Sequence, residues 1–260
     1  MPAADRARFG AWSAAVARGV DSVIRQQPEV LARADAAATG LTAYFRELVA
    51  QRRRAPADDL LSRLVWAEQQ GDGLSEDELL ATCVMLLVAG HETTVNLIGN
   101  GLLALFRNPD QLERLRAEPT LASSAVEELL RFDSPVQRTG RVALVDVELS
   151  DGQLIRAGDR ITLLLGAANR DARQFAQPDQ LDLGRANAGR HVSFGSGIHY
   201  CVGAPLARLE AQLALPRLLH RFPRLRPLSK AVAWQPTFGL RGLQALPVAI
   251  EQPLGVDGVA

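Results

Sequence analysis

The sequence predicts a mainly α-helical fold with a small β portion. Over the first half of the chain, apolar residues recur at the three- and four-residue spacing of amphipathic helices. Between Arg141 and Leu165 this periodicity changes to short strand-like runs around the turn signal Ser150-Asp-Gly152. The length of 260 residues allows a well-buried core, and 47% hydrophobic and 22% charged residues are ordinary values for a globular protein.

Charge and cysteine content narrow the function classes. The chain has 29 Lys and Arg against 29 Asp and Glu, so no nucleic acid or other polyelectrolyte partner is indicated. Cys83 and Cys201 are the only cysteines, which excludes Cys-x-x-Cys zinc and disulfide frameworks and favours a reducing cytoplasm. The N-terminus lacks a signal-peptide pattern, and the longest apolar run, Leu79 to Gly90, is shorter than a membrane span. We therefore expect a soluble cytoplasmic protein that does not insert into a membrane.

Helices are predicted over most of the chain before residue 133. Ser75 and Glu78 form a capping box at the start of the fourth helix, and Pro109 marks its end. The basic run Arg52–Arg54 ends the second helix, where we interpret it as a solvated terminus favoured by the helix dipole. The predicted bounds are 5–24, Pro28–Arg54, Asp58–Gln69, Glu76–Arg107, Asp110–Arg116 and Leu121–Phe132.

The fourth helix is the longest of these. From Leu79 to Ala89 it is apolar on nearly all sides, which predicts a central, buried helix. Its middle then reads Ala89-Gly-His-Glu-Thr-Thr94, where glycine, threonines and a carboxylate weaken a buried helix. Residues that weaken their own helix without an evident structural gain are typical of functional sites.

The second half begins with the predicted β portion. A hairpin is expected from Arg141–Leu149 and Gln153–Arg156, followed by a strand at Arg160–Leu165 and weak strands between Gly239 and Ile250. Residues 166–193 show no sustained period, which predicts a long ordered loop of the kind that is usually functional. Pro216 is expected to end or kink the helix that begins near Ala204.

One cysteine lies in a glycine-rich loop. The stretch Phe194-Gly-Ser-Gly-Ile-His-Tyr-Cys-Val-Gly203 directly precedes Ala204-Pro205, the predicted start of a helix. A thiolate at a helix N-terminus is stabilised by the dipole and by N–H donors. The alternative is a structural cysteine beside an ordinary turn, but the pattern Phe-x-x-Gly-x-His-x-Cys-x-Gly is too specific to favour it.

Four motifs in this order resemble the cytochromes P450, in particular the soluble bacterial members. They are Ala-Gly-x-Glu-Thr-Thr, the Glu-x-x-Arg of Glu128 and Arg131, the Asn-Arg-Asp to Pro-Asp segment at 169–179, and the cysteine loop. The resemblance implies the C-terminal part of the cytochrome P450 fold, with residues 1–260 as a single haem domain. Family members carry further helices before the region that residues 1–25 resemble, and these form part of the substrate roof. We expect this chain to lack them.

The resemblance also implies the cofactor, haem b (iron protoporphyrin IX). Cys201 corresponds to the proximal ligand of the iron. His199 and Arg141 correspond to partners of the haem propionates. For His199 a purely structural role of the ring stays an alternative, and the same alternative applies to His191. The other residues expected to contact the haem or to shape its ligand loop are Phe194, Gly195, Gly203, Ala89 and Gly90.

On the distal side, Glu92 and Thr93 match the acid–alcohol pair that delivers protons during dioxygen activation in the family. The alternative for a threonine here is a hydroxyl that bonds back to the preceding turn, which fits Thr94 better than Thr93. His91 is expected to pair inside the core.

A structural network is implied as well. Glu128 and Arg131 are expected to form a buried cluster with Arg185 that supports the cysteine loop.

The implied function is that of a haem-thiolate monooxygenase, which inserts one oxygen atom of O2 into a small apolar organic substrate by hydroxylation or epoxidation. A ferredoxin-type electron donor is expected to dock near Cys201, where Arg190 and Arg208 are candidate basic groups. The alternative from a different class is a haem-binding or degenerate P450 fragment without turnover. A peroxide-using haem enzyme fits less well, because the acid–alcohol pair is present.

Overall fold

The structure is a computed structural model that describes residues 5–22, 27–70 and 74–250. It divides between Glu92 and Thr93, within its longest helix, into two compact units. The described helices are α1 (Arg6–Ser22), α2 (Pro28–Arg54), α3 (Leu60–Gln69), α4 (Glu76–Arg107), α5 (Pro109–Ala117), α6 (Ala122–Phe132), α7 (Leu165–Ala168) and α8 (Ala204–Arg221). The described strands are β1 (Thr139–Val142), β2 (Val147–Glu148), β3 (Leu154–Ile155), β4 (Arg160–Leu163), β5 (Arg226–Pro227) and β6 (Val248–Ala249).

The mainly α prediction is confirmed, and local signals set the helix bounds. The capping box is present, with the Ser75 N–H donating to the Glu78 carboxylate at 2.8 Å and the Glu78 N–H donating to the Ser75 hydroxyl at 3.3 Å. Helix α3 begins at Leu60 rather than Asp58, because Asp59 is the N-cap and accepts the Ser62 N–H at 2.8 Å. Residues 23 and 24 of the first predicted helix lie outside the described residues.

In the first unit, α1 and α2 pack closely because small residues lie where the two helices meet. A Cβ on Gly19 would collide with the Ala34 side chain, and one on Gly40 would lie 2.8 Å from the Trp12 ring. Larger residues at these positions would push the helices apart. The neighbouring Phe9 is buried and meets Trp12 edge to face, with ring centroids 5.9 Å apart.

The basic end of α2 is not simply solvated. Arg52 pairs with Asp59 at 2.7 Å and Arg53 pairs with Glu68 at 3.0 Å, and both arginines are partly buried. The interpretation of a solvated terminus is therefore wrong for these two residues, because the turn into α3 brings carboxylates back against the end of α2.

The core of the second unit brings α6 and α8 together. Leu129 of α6 and Leu215 of α8 belong to one buried cluster with Leu105 of α4. The helix that begins after Cys201 is thereby held against the Glu-x-x-Arg helix. Helix α8 also continues past Pro216 to Arg221, so proline does not end it. Proline removes one helix hydrogen bond, and the burial of Leu215 and Leu219 on either side compensates for that loss.

The predicted first strand is divided into two. Residues Thr139–Val142 pair with Arg160–Leu163 in antiparallel register, whereas only Val147–Glu148 forms the expected hairpin with Leu154–Ile155. Between them Leu144 is 89% exposed and leaves the ladder. The weak terminal strands consist of β6, which pairs with β5, and isolated bridges such as Val136 with Leu240. The long ordered loop at 166–193 is confirmed, apart from the single-turn α7 and a short 3-10 turn at Ala188–Arg190.

Helix α4 runs unbroken from Glu76 to Arg107 as predicted, but the expected burial on all sides is wrong for its first half. Leu79, Leu80 and Cys83 are buried, whereas Met85 is 56% exposed and Ala89 is also exposed. By length and composition α4 is the one described helix that could cross a membrane, and 22% of its apolar window is buried. An apolar pattern indicates that a helix needs neighbours, but not which neighbours cover it.

We expect the 260-residue chain on its own to self-associate through this exposed apolar face of α4. Each large apolar side chain left in water forfeits ~1.5–3 kcal/mol of burial, and exposed patches of this kind promote association. Size-exclusion chromatography with light scattering measures the effect, and Met85→Lys should shift the population towards monomer. A monodisperse monomer before any substitution would contradict the expectation.

Candidate functional site

The Cys201 loop is shaped by its backbone. The Cys201 N–H donates to the Phe194 carbonyl at 2.9 Å, and the Cys201 carbonyl accepts the Ala204 N–H at 3.2 Å, where α8 begins. Gly195 and Gly197 have φ of +73° and +66°, which side-chain-bearing residues rarely adopt. The sulfur is exposed and reduced at the start of the helix, and a Cβ at Gly203 would lie 3.9 Å from it. The loop therefore presents a thiol whose position is determined by hydrogen bonds of the main chain.

Behind this loop, Glu128 and Arg131 form the expected buried network with Arg185. Arg131 donates to the two Glu128 oxygens at 2.7 and 2.8 Å, and Arg185 Nε lies 3.1 Å from the same carboxylate. Glu128 and Arg131 are fully buried. Arg131 also donates to the carbonyls of Asn169 and Pro178, at 3.0 and 2.9 Å. The network thus ties α6 to the long loop that leads into the cysteine segment.

A second network, which no sequence motif indicated, begins at the neighbouring Glu127. Arg208 Nε and Nη2 donate to the Glu127 oxygens at 2.6 and 3.1 Å, and His191 Nε2 lies 3.2 Å from Glu127 Oε2. The His191 ring is buried, and its Nδ1 accepts the Ser193 N–H at 3.1 Å. For His191 this geometry favours the structural alternative.

Arg208 was expected to be a basic group available for docking the electron donor. That expectation is wrong, because Glu127 already binds its guanidinium. Its guanidinium is engaged by Glu127 and by the Tyr200 hydroxyl, to which Nη1 donates at 3.1 Å. Arg190, in contrast, is exposed. The sequence carries no local signal for the Glu127–Arg208 pair, because helical spacing would assign Glu127 to Arg131, one turn further along α6.

The distal candidates are consecutive residues in the middle of α4. Glu92 is buried, and its Oε1 lies 3.3 Å from His91 Nδ1, which is also 3.3 Å from the Ser13 hydroxyl. His91 therefore pairs as expected, but on the exposed face of α4 rather than inside the core. Thr93 is half-buried and Thr94 is buried. Ala89 and Gly90 are exposed, and a Cβ at Gly90 would meet no atom within 4 Å.

The two predicted propionate partners, Arg141 and His199, differ in burial and in their hydrogen bonds. Arg141 is half-buried on β1, where Nη1 donates to the Thr139 hydroxyl at 3.0 Å and to the Gly140 carbonyl at 2.7 Å. His199 is exposed in the 3-10 turn of the cysteine loop. Neither side chain has a carboxylate partner among the described residues, so both can accept an anionic group.

A separate cavity of about 360 Å³ lies in the second unit. Arg138, Trp234, Phe238 and Arg241 are among the residues that line it, and none of the predicted site residues do. The Arg138 guanidinium lies over the Phe238 ring at 4.4 Å.

The motifs and the fold agree with the comparison to known proteins. The family model of cytochrome P450 matches residues 21–237. The chain belongs to the cytochrome P450 family. It is 43% identical over 251 residues to the biotin biosynthesis cytochrome P450 of Bacillus subtilis, which covers 96% of this chain and 62% of that protein. It is 48% identical over 243 residues to cytochrome P450 107B1 of Saccharopolyspora erythraea, which covers 92% and 57%.

Solved P450 structures show the same fold. The complex of P450BioI with an acyl carrier protein ligated to hexadec-9Z-enoic acid matches with a TM-score of 0.89 at 43% identity, over 96% of this chain and 63% of that one. The chain therefore spans about 60% of the length of the relatives that it matches.

Haem b is the cofactor of the cytochromes P450, and the residues of this chain fit it. Among the described residues no group of three or more His, Cys, Asp or Glu side chains could hold a metal ion by itself. A lone exposed thiol such as that of Cys201 suits an iron whose other ligands come from a porphyrin. Ile198 and Val202, beside the thiol, are 98% and 84% exposed, which leaves apolar surface for an apolar ring.

Acid is expected to weaken the Glu127 network. Burial acts to raise the Glu127 pKa, but His191 and the Arg208 guanidinium outweigh it and lower the pKa from 4.5 to about 2. A carboxylate with a depressed folded-state pKa stabilises the fold fully above its unfolded pKa, and this contribution is lost as the pH falls from 4.5 towards 2. Urea unfolding across this pH range should show a shallower fall in stability for Glu127→Gln. The exposed Glu118→Gln is the matched control, and an equal change in both variants would contradict the assignment.

Proposed function

We propose that this chain carries the haem-thiolate centre of a monooxygenase, which inserts one oxygen atom of O2 into a small apolar organic substrate by hydroxylation or epoxidation. The observation that carries the proposal is the Cys201 loop, in which an exposed thiol lies at the start of α8 and backbone hydrogen bonds hold it. When bound, haem b supplies the redox chemistry of dioxygen activation, and a thiolate ligand favours O–O cleavage over reversible oxygen binding.

The residues of the chain have separate roles in this proposal. Cys201 would coordinate the iron through its thiolate, and Arg141 and His199 would bind the propionates through charge-assisted hydrogen bonds. Thr93 holds water and Glu92 relays protons to it, since a half-buried hydroxyl lies next to a buried carboxylate in one helix. The pairing of Glu92 with His91 at 3.3 Å offers a way for protons to reach the carboxylate from solvent, because the His91 ring is partly exposed.

The proposed partners follow from the same site. The electron donor is of the ferredoxin type, the substrate is apolar, and the protein works in the cytoplasm. The fatty acyl chain in the P450BioI complex supports an apolar substrate. With Arg208 engaged by Glu127, the exposed Arg190 is the remaining basic candidate for the docking face.

The test is consumption of reductant and O2 by the haem-loaded protein with a ferredoxin and its reductase. Formation of an oxygenated product from a panel of fatty acids and macrocyclic hydrocarbons would support the monooxygenase. Haem binding with a thiolate-type spectrum, but without a product from any substrate that perturbs the spectrum, would favour the haem-binding fragment without turnover.

Thr93→Ala is expected to keep the haem spectrum and to divert reducing equivalents into peroxide, since protons and water would no longer be held at that position. A positioned proton donor typically contributes ~10²–10⁴-fold, so the loss of product per reductant should be severe. Thr94→Ala is the matched control, because it removes the same hydroxyl one residue along the helix. Unchanged coupling in Thr93→Ala, measured as product formed per reductant consumed, would count against the role of Thr93.

A further inference from the structure

Arg208 contacts the thiolate loop at two points. Its guanidinium lies over the Phe194 ring, 4.5 Å from the centroid, and Nη1 donates to the Tyr200 hydroxyl at 3.1 Å. Phe194 supplies the carbonyl that accepts the Cys201 N–H, and Tyr200 directly precedes Cys201. One side chain therefore contacts two residues that help to place the cysteine backbone.

Glu127 fixes the orientation of that guanidinium. Two nitrogens of Arg208 donate to two oxygens of Glu127 at 2.6 and 3.1 Å, a bidentate arrangement that a planar guanidinium can make and an ammonium cannot. With the bond to Tyr200, every guanidinium nitrogen of Arg208 has a partner. The side chains of Arg208 and Glu127 are 27% and 18% exposed, so the pair is partly shielded from water.

The same carboxylate also lies close to the chain where it enters the loop. His191 lies 3.2 Å from Glu127, and its other ring nitrogen accepts the N–H of Ser193, the residue before Phe194. The Ser193 hydroxyl donates to the Leu130 carbonyl of α6 at 2.8 Å. Glu127 thus lies 3.2 Å from His191 near the beginning of the loop and holds the end of the loop through Arg208.

We infer that Glu127 and Arg208 are positioning residues for the Cys201 thiolate, which set how the sulfur is presented to the haem iron. The inference rests on the proposed haem-thiolate site, and it concerns a pair distinct from the Glu128–Arg131–Arg185 network. Because each member neutralises the other, loss of Glu127 leaves a positive charge beside the loop and loss of Arg208 leaves a negative one. The two losses should therefore act on the iron with opposite sign.

The test compares Arg208→Ala, Arg208→Lys and Glu127→Gln in the haem-loaded protein. The readouts are the red-shifted thiolate band of the reduced carbon-monoxide complex and the reduction potential of the iron. Arg208→Ala should lose most of the thiolate band, and Arg208→Lys should recover only part of it because lysine lacks the planar fork. The potential should rise in Glu127→Gln and fall in Arg208→Ala.

Arg114→Lys is the matched control, since Arg114 makes a partly buried ion pair with Asp182 at 3.3 Å without touching the cysteine loop. It should retain both the band and the potential. A complete thiolate band in Arg208→Ala would overturn the inference whatever the potential does. If Arg208→Ala binds no haem, the test rests on Arg208→Lys. A complete thiolate band at unchanged potential in Arg208→Lys would overturn the inference. Failure of the proposed haem-thiolate site is distinguishable, because the unsubstituted protein would then show no thiolate band, and absence of turnover alone would leave both readouts intact.

Discussion

Cys201→Ala is expected to abolish the red-shifted band of the reduced carbon-monoxide complex completely. The band reports a thiolate bound to the iron, and alanine offers no ligand atom. The fold should survive the change, because the hydrogen bonds that shape the loop at this position come from the Cys201 N–H and carbonyl, which alanine retains. The exposed sulfur also contributes little burial. Loss of the band would therefore report loss of the ligand and not of the structure.

The other cysteine provides the control. Cys83 is buried in the first unit, where burial raises the pKa of its thiol and so disfavours a thiolate. Cys83→Ala should keep the band at full intensity, with at most some loss of stability. Survival of the band in Cys201→Ala, measured at equal haem content, would mean that another residue ligates the iron.

Glu128→Ala should have the largest effect on stability. It would leave the fully buried Arg131 without its carboxylate, and breaking a buried pair on one side costs about 3–5 kcal/mol. The total stability of a typical domain is about 5–15 kcal/mol, so the variant should be close to unfolding. The Asp182 N–H, which donates to Glu128 at 3.0 Å, and Arg185 would lose their acceptor at the same time. Urea unfolding measures the change in the free energy of unfolding.

Two further variants keep this experiment decisive. Glu128→Gln retains a hydrogen-bond acceptor without the charge, so it should fold more readily and show a smaller loss. Arg173→Ala removes one partner of an equally short but exposed pair with Asp171 at 2.6 Å, and it should leave the unfolding midpoint almost unchanged. If Glu128→Ala and Arg173→Ala lowered the free energy of unfolding equally, burial of the Glu128 network would not account for the loss of stability.

Helix bounds and the cysteine loop could be predicted from the sequence because their causes are local. The capping box at Ser75, the proline at 109 and the glycines around Cys201 act on their own neighbours within a few residues. The four motifs, read in their order along the chain, were enough to indicate the family. The expected Glu128–Arg131–Arg185 network could be named in advance only because the family resemblance supplied the partner 57 residues away.

The partners of charged and apolar surfaces were decided by the tertiary structure alone. Glu127 and Arg208 lie 81 residues apart, and no local pattern indicates that packing of α6 on α8 brings them together. For the same reason Arg208 was expected to be free, and Arg52 was expected to be solvated although it pairs with Asp59. The sequence by itself determined that α4 is apolar and continuous, whereas only the fold decided that Leu79 is buried and Met85 exposed. Backbone preference acts over one or two turns, while burial and charge pairing depend on distances through space that packing sets.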